Sequence, residues 1–146
     1  MRALFDVNVL IALFDPAHIH HEPAHAWWRR ERPSGWASCP LTQNGFVRVL
    51  SQPKYPNPVS VSEASSRLRA ATMATDHVFW PDDLSILDTA RVDTEHILSP
   101  GLITDLYLLA LVVRRKGRLV TFDRTIPPAA VPGAGSHQIV VLPDQR

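Results

Sequence analysis

Cysteine occurs once in this sequence, at Cys39, which excludes an internal disulfide and fits a reducing compartment. Neither sign of charge is in excess: 15 Lys and Arg stand against 14 Asp and Glu, a formal net charge of +1. Any affinity for a polyanion must therefore come from a local patch rather than a basic surface. No apolar run approaches the ~20 residues of a membrane-spanning helix. The first apolar stretch is broken by Asp6 and Asn8, so no signal peptide is expected and the cytoplasm is the default. Internal repeats and low-complexity tails are missing as well. What is present is the composition of a globular chain, 45% hydrophobic and 20% charged over 146 residues. That length is expected to form one domain with a substantial core.

The elements organise around two stretches. Leu102–Asp123 begins with Leu106, Leu109, Ala110 and Val113 at helical spacing, so one stripe faces a core. Thr104 reads as its N-cap, Asp105 as a first-turn acid suited to the helix dipole, and Gly117 as its stop. Leu119-Val120-Thr121-Phe122 then reads as a strand of a buried parallel sheet, ending at Asp123. The chain opens the same way, with the short apolar strand Ala3-Leu4-Phe5 ending at Asp6 before the apolar run Val7–Phe14.

Between these stretches, His18–Trp28 reads as a polar turn that becomes a helix, with Pro23 in its first turn and its end at Arg29–Pro33, and Gly35–Pro40 as a second strand. Thr42 is expected to cap a helix through Leu50, and Ser60 with Glu63 forms a capping-box pattern for a helix over Val61–Met73. His77–Trp80 reads as a third strand, Ile86-Leu87 as a brief helical piece, and Gln138–Leu142 as the last strand. Such alternation implies one α/β sandwich with a mainly parallel sheet.

In open α/β sheets the reactive crevice lies beyond the carboxyl ends of the strands. Asp6, Asp105 and Asp123 are expected to converge there. Three carboxylates in one crevice repel each other, and one should protonate unless a cation is present. Mg²⁺, with Mn²⁺ as substitute, suits such oxygen ligands and can drive in-line hydrolysis of a phosphodiester without a side-chain nucleophile. Asp6 and Asp105 are the expected direct ligands, with Asp123 holding a second ion or a water. Thr121 would support them, and Asn8 would orient Asp6 or a water. Taken singly, an aspartate after a strand is only a turn former; the ordered set of three favours a metal site.

His18, His20, His21 and His25 fall within eight residues, and His21 with His25 forms an i, i+4 pair. No further ligand completes a closed zinc site, so a structural role is the stronger reading.

Asp6-Val7-Asn8-Val9-Leu10, His20-His21-Glu22 before Trp27, Gly45-Phe46-Val47-Arg48, Thr104-Asp105-Leu106-Tyr107-Leu108 and Thr121-Phe122-Asp123 together resemble a PIN domain. The likeness is greatest to the VapC toxins of prokaryotic toxin–antitoxin pairs. It covers almost the whole chain in the expected order, as a single PIN domain over residues 1–146. The resemblance implies a three-layer α/β/α sandwich and Mg²⁺-dependent endoribonuclease activity on single-stranded or loop RNA. It also implies a cognate VapB-like antitoxin over the acidic crevice and a homodimer.

The family usually offers a fourth acid early in the helix that here begins near Thr42. The positions available hold Thr42, Gln43, Asn44 and Gly45, and Gln43 matches best by spacing. Arg48, Arg114, Arg115, Lys116 and Arg124 are the basic residues expected near the mouth, able to hold RNA phosphates; for Arg48 an ion pair is an equal reading. Two alternatives remain. A metal-dependent phosphatase or phosphoacceptor would want an Asp-x-Asp step, which Asp6-Val7-Asn8 does not supply. A PIN module that binds RNA or protein without cutting is consistent with the missing acid.

Overall fold

The computed structural model describes residues 1–97 and 99–144. Five short strands form one sheet, all pairs parallel: β1 Ala3–Phe5, β2 Trp36–Ser38, β3 His77–Phe79, β4 Arg118–Thr121 and β5 Ile139–Val141. Their spatial order is β3-β2-β1-β4-β5. The chain winds outward from β1 to β2 and β3, then crosses to the other side for β4 and β5. The reversal between β1 and β4 is the topological switch point of the sheet.

Strands buried on both faces explain the continuous apolar runs seen in the sequence. Ala3, Phe5, Trp36 and Val120 enter one core, while Leu4, Ala37 and Leu119 enter the other. The first core is covered by four helices: α1 Val7–Phe14, α2 His21–Glu31, α3 Pro40–Leu50 and α4 Val61–Thr72. The second is covered by a single helix, α5 Ile103–Arg115. The expected single stripe on α5 proves too narrow, since Leu108, Leu111 and Val112 are buried along with Leu106, Leu109 and Ala110. Val92, Ile126, Ala130 and Val131 pack into the same core and bring connecting loops against the helix. A backbone bond from Asp93 N to Ala130 O (2.7 Å) ties those loops together.

Helix ends depart from expectation in instructive ways. Thr104 lies inside α5; Ser99 instead caps the 3-10 turn Pro100–Leu102 that leads into it. Thr42 is likewise not the cap of α3 but its third residue, and its hydroxyl accepts from the N–H of the capping Cys39 (3.1 Å). Pro40 then occupies the first turn, where its missing N–H has no intrahelical acceptor anyway. Ser60 caps α4 as the capping-box pattern requires, accepting from Glu63 N (3.0 Å). Ile86-Leu87 forms a turn rather than a helical piece.

The stop of α5 is taken by Lys116 in the left-handed conformation (φ 58°), and Gly117 N donates to Val112 O (2.8 Å) to close the last turn. Glycine at 117 answers a different need. A Cβ there would stand 2.6 Å from the Trp80 ring and 2.8 Å from the Arg2 carbonyl oxygen, where β1 and β4 begin. Gly117→Ala is therefore expected to destabilise the fold by about 1–3 kcal/mol through overpacking. Urea unfolding measures this, and an unchanged midpoint would show that the Trp80 contact yields freely.

Candidate active site

Asp6 is the residue immediately after β1 and also the N-cap of α1. Its N–H continues the parallel ladder by donating to Val120 O (3.0 Å), which carries the residue into the sheet. Only 6% of it remains exposed. Its Oδ1 accepts from Val9 N (2.9 Å) and its Oδ2 accepts from the Thr121 hydroxyl (2.5 Å). The Asn8 N–H also faces the carboxylate. One side chain thus joins a strand end, a helix start and the neighbouring strand.

Thr121 is fully buried at the end of β4 and works in both directions. Its hydroxyl donates to Asp6 and accepts from the N–H of Asp123 (3.0 Å). Asp123 follows two residues later, where its Oδ1 accepts from the Thr125 hydroxyl (2.6 Å) and N–H (2.7 Å). Asp105 reaches the same place from the opposite layer, in the first turn of α5. Its carboxyl lies close enough to that of Asp123 for each to affect the other's ionisation. Asp6, Asp105 and Asp123 therefore lie within electrostatic reach of one another at the carboxyl edge of the sheet, at the switch point between β1 and β4.

The three respond differently to their proximity. Burial pushes the Asp6 carboxyl above its ordinary value, and Asp123 adds to the rise against the hydrogen bonds from Thr121, Val9 and Asn8. Asp105 is raised to about 6, by burial first and then by the charges of Asp6 and Asp123, with no hydrogen bond pulling the other way. Asp123 is lowered, because Thr125 donates twice to its ionised form. One carboxylate is stabilised as an anion and two are frustrated, which is the electrostatic signature of a cluster short of positive charge.

As they lie, no three His, Cys, Asp or Glu side chains among the described residues stand close enough to ligate one ion together. Asp6 is turned to Thr121 and Val9, and Asp123 to Thr125. The donor set nonetheless fits a hard divalent cation: oxygens only, from three carboxyls within electrostatic reach of one another, two of them raised by burial and mutual repulsion.

The remaining predicted positions divide. Asn8 is exposed and serves Asp6 through its backbone N–H. Gln43 donates its amide to the Ser38 hydroxyl (2.9 Å), itself hydrogen-bonded to His77 Nε2 (2.8 Å), so its nitrogen is engaged on the β2–β3 side. Arg48 is exposed on the last turn of α3 beside Asn44 and Ser51, and forms none of the ion pairs found among the described residues. Arg124 is exposed directly after Asp123.

Arg114, Arg115 and Lys116 require a correction. They were expected near the mouth, but α5 runs antiparallel to the strands, so its last turn lies at the amino edge. Nine residues separate Asp105 from Arg114, about 14 Å along a helix. There Arg115 and Arg114 pair with Asp83 (2.7 and 3.3 Å).

His21 and His25 do lie side by side, 5.2 Å between ring centres, but His21 Nδ1 donates to Ala12 O (2.7 Å) at the end of α1, a structural bond. Thr125 was not anticipated, although an aspartate followed two residues later by a threonine is a turn pattern the sequence displays.

The raised carboxyls make a stability prediction. Asp105 binds its proton more tightly in the folded state than in the unfolded one, so stability falls as pH rises from about 4 through about 6. Asp105→Asn is expected to melt higher than the wild type at pH 7.5, an advantage that shrinks towards pH 4. Melting curves across that range decide it; a pH-independent difference would mean that the repulsion is not the cause.

Comparison with known proteins agrees with this architecture. The PIN-domain family model matches residues 3–131. Ribonuclease VapC44 of Mycobacterium tuberculosis is 52% identical over 142 residues, covering 97% of this chain and all of the relative. Ribonuclease VapC39 of the same organism is 40% identical over 135 residues, 91% of this chain and 96% of its own. Among solved structures, VapC20 of M. tuberculosis, a sarcin–ricin loop cleaving toxin, superposes with a TM-score of 0.63 over 90% of this chain and 98% of its own; at 14% identity this speaks to fold alone. With its site at the β1–β4 switch point and relatives spanning nearly its full length, the chain belongs to the PIN-domain family, in the VapC group.

Proposed function

We propose that this protein is a divalent-metal-dependent endoribonuclease of the toxin type, acting as a single cytoplasmic domain and restrained by a small partner antitoxin. The observation that supports the reading is the electrostatic proximity of Asp6, Asp105 and Asp123 near the switch point, with two of the three raised above the ordinary carboxyl range. The ribonuclease names of the full-length relatives support the same reaction class. No helix among the described residues is long and apolar enough to cross a membrane.

Asp6, Asp105 and Asp123 would hold Mg²⁺ or Mn²⁺, which when bound supplies Lewis acidity towards water and the phosphate. Asp6 is held in place for this by Thr121 and the start of α1, so its carboxylate has little freedom to lose. Asp123 stays ionised at neutral pH because Thr125 holds its anion. Asp105, raised to about 6, is largely ionised at neutral pH, and a cation in the crevice would favour its anion further. Arg124, beside Asp123, would engage the RNA backbone next to the crevice, and the exposed Arg48 on the last turn of α3 would do so only for RNA that extends away from it. The antitoxin would cover the crevice and place an arginine among the carboxylates, and pairing of two copies is the family's usual state.

A second reading has one observation behind it: the position expected to hold a fourth acid is Gln43, whose amide is engaged by Ser38. A module that binds RNA without cutting it would follow if three carboxylates do not suffice.

Cleavage assays separate the two. Asp6→Asn and Asp105→Asn are expected to bring RNA cleavage to background while staying folded, Asp105→Asn melting higher than the wild type as above, and Thr121→Val loses about 10–100-fold as an outer support of a ligand. EDTA should abolish cleavage and Mg²⁺ or Mn²⁺ restore it. Full activity in a folded Asp6→Asn variant, or after exhaustive chelation, contradicts the metal-nuclease reading. Brief induction of the wild type, but not of Asp6→Asn, should arrest growth and leave new RNA ends.

A further inference from the structure

Phe122 sits between the two site residues Thr121 and Asp123, and its ring packs against the edge of the first core while staying only half-buried. Two histidine rings from the turn between α1 and α2 lie against it. The His20 ring centre is 4.7 Å away, and the His18 ring is stacked nearly parallel to it, 13° between planes at 6.4 Å. His18 and His20 also lie 5.8 Å apart, so the three rings form one continuous aromatic patch. All three are partly exposed, and the patch begins one residue from the acidic cluster.

The turn that carries the histidines is held firmly. Asp15 Oδ1 accepts from Ala17 N (3.0 Å), and its Oδ2 accepts from the Tyr55 hydroxyl (2.5 Å) of the proline-rich loop. His18 N donates to Asp15 O and His21 N to His18 O, each at 3.0 Å. His20 N donates to His18 Nδ1 (3.0 Å), which fixes the orientation of the His18 ring, and His21 Nδ1 anchors the far side on Ala12 O. The histidine rings are only partly buried, and Ile19 between them is 85% exposed. A rigid, half-exposed aromatic surface beside a phosphodiester-cleaving crevice has the chemistry of a base-stacking platform, because every nucleobase presents a π-face.

We infer that His20 and Phe122, backed by His18, form a stacking shelf for an unpaired nucleobase of the RNA next to the scissile phosphate. The inference rests on the ribonuclease reading for where the RNA lies. The shelf accepts any base by its face, so it selects for a base that is free to leave its helix, and this favours single strands and loops over duplex RNA.

The test has a binding arm and a cleavage arm. In the first, single-stranded RNA decamers carrying one 2-aminopurine at successive positions are bound to the full-length Asp6→Asn protein. Fluorescence is expected to be quenched at one position, with quenching kept in Asp6→Asn/His20→Phe, lost in Asp6→Asn/His20→Ala, and binding weakened about tenfold in the latter. In the second, His20→Ala in the otherwise wild-type protein should raise KM with kcat little changed. An abasic nucleotide at the quenched position should penalise the wild type but add nothing to His20→Ala. Quenching and KM that are equal in His20→Ala and wild type overturn the shelf while leaving the nuclease reading standing. Quenching that depends on His20 in a protein that cuts no RNA keeps the shelf and removes the nuclease.

Discussion

The structure depends on one hydrogen bond more than any other: the Thr121 hydroxyl on the Asp6 carboxylate. It spans the switch point, joining the ends of β1 and β4, and it does so with a buried acid at the seam. Burying a carboxyl is costly unless donors surround it. Thr121, Val9 N–H and Asn8 N–H are those donors, and the same Thr121 oxygen accepts from Asp123. Sheet closure, the entry into α1 and the placement of two site aspartates are therefore parts of one arrangement. The strain that remains is electrostatic, shared by the buried Asp6 and by Asp105, which arrives from the other layer with no hydrogen bond that favours its anion.

This division of labour explains how a weakly charged protein can hold a strongly charged site. Net charge is +1, and many of the cations are committed far from the crevice: Arg114 and Arg115 to Asp83, Arg32 to Asp76, Arg118 to Glu31. The acidic crevice is left with the exposed Arg124 next to it. Such a cluster is poorly neutralised by the protein itself, and under the proposed reading a divalent cation would supply the missing positive charge.

The sequence made the strand ends legible because strands buried on both faces read as unbroken apolar runs, and an aspartate closing such a run stands out. That logic located Asp6 and Asp123, and helical spacing located Asp105. What it could not supply was direction. Arg114 and Arg115 are near Asp123 in sequence, but a helix antiparallel to its strand carries them to the opposite edge. Nor could it rank capping residues: Thr42 and Thr104 look like caps by type, yet Cys39 and Ser99 start the turns because Pro40 and Pro100 follow them and set the entry. Lys116 takes the left-handed stop while Gly117 is kept for closeness to Trp80 and Arg2. The aromatic patch of His18, His20 and Phe122 joins residues a hundred positions apart, and no local pattern announces it.

The central claim is that Asp6, Asp105 and Asp123 form one cation-binding unit, and isothermal calorimetry with Mn²⁺ tests it without any RNA. The account predicts saturable, stoichiometric uptake by the wild-type protein at pH 7.5, strongly weakened in a folded Asp6→Asn variant. No uptake by the wild type, or equal uptake by both proteins, would contradict it.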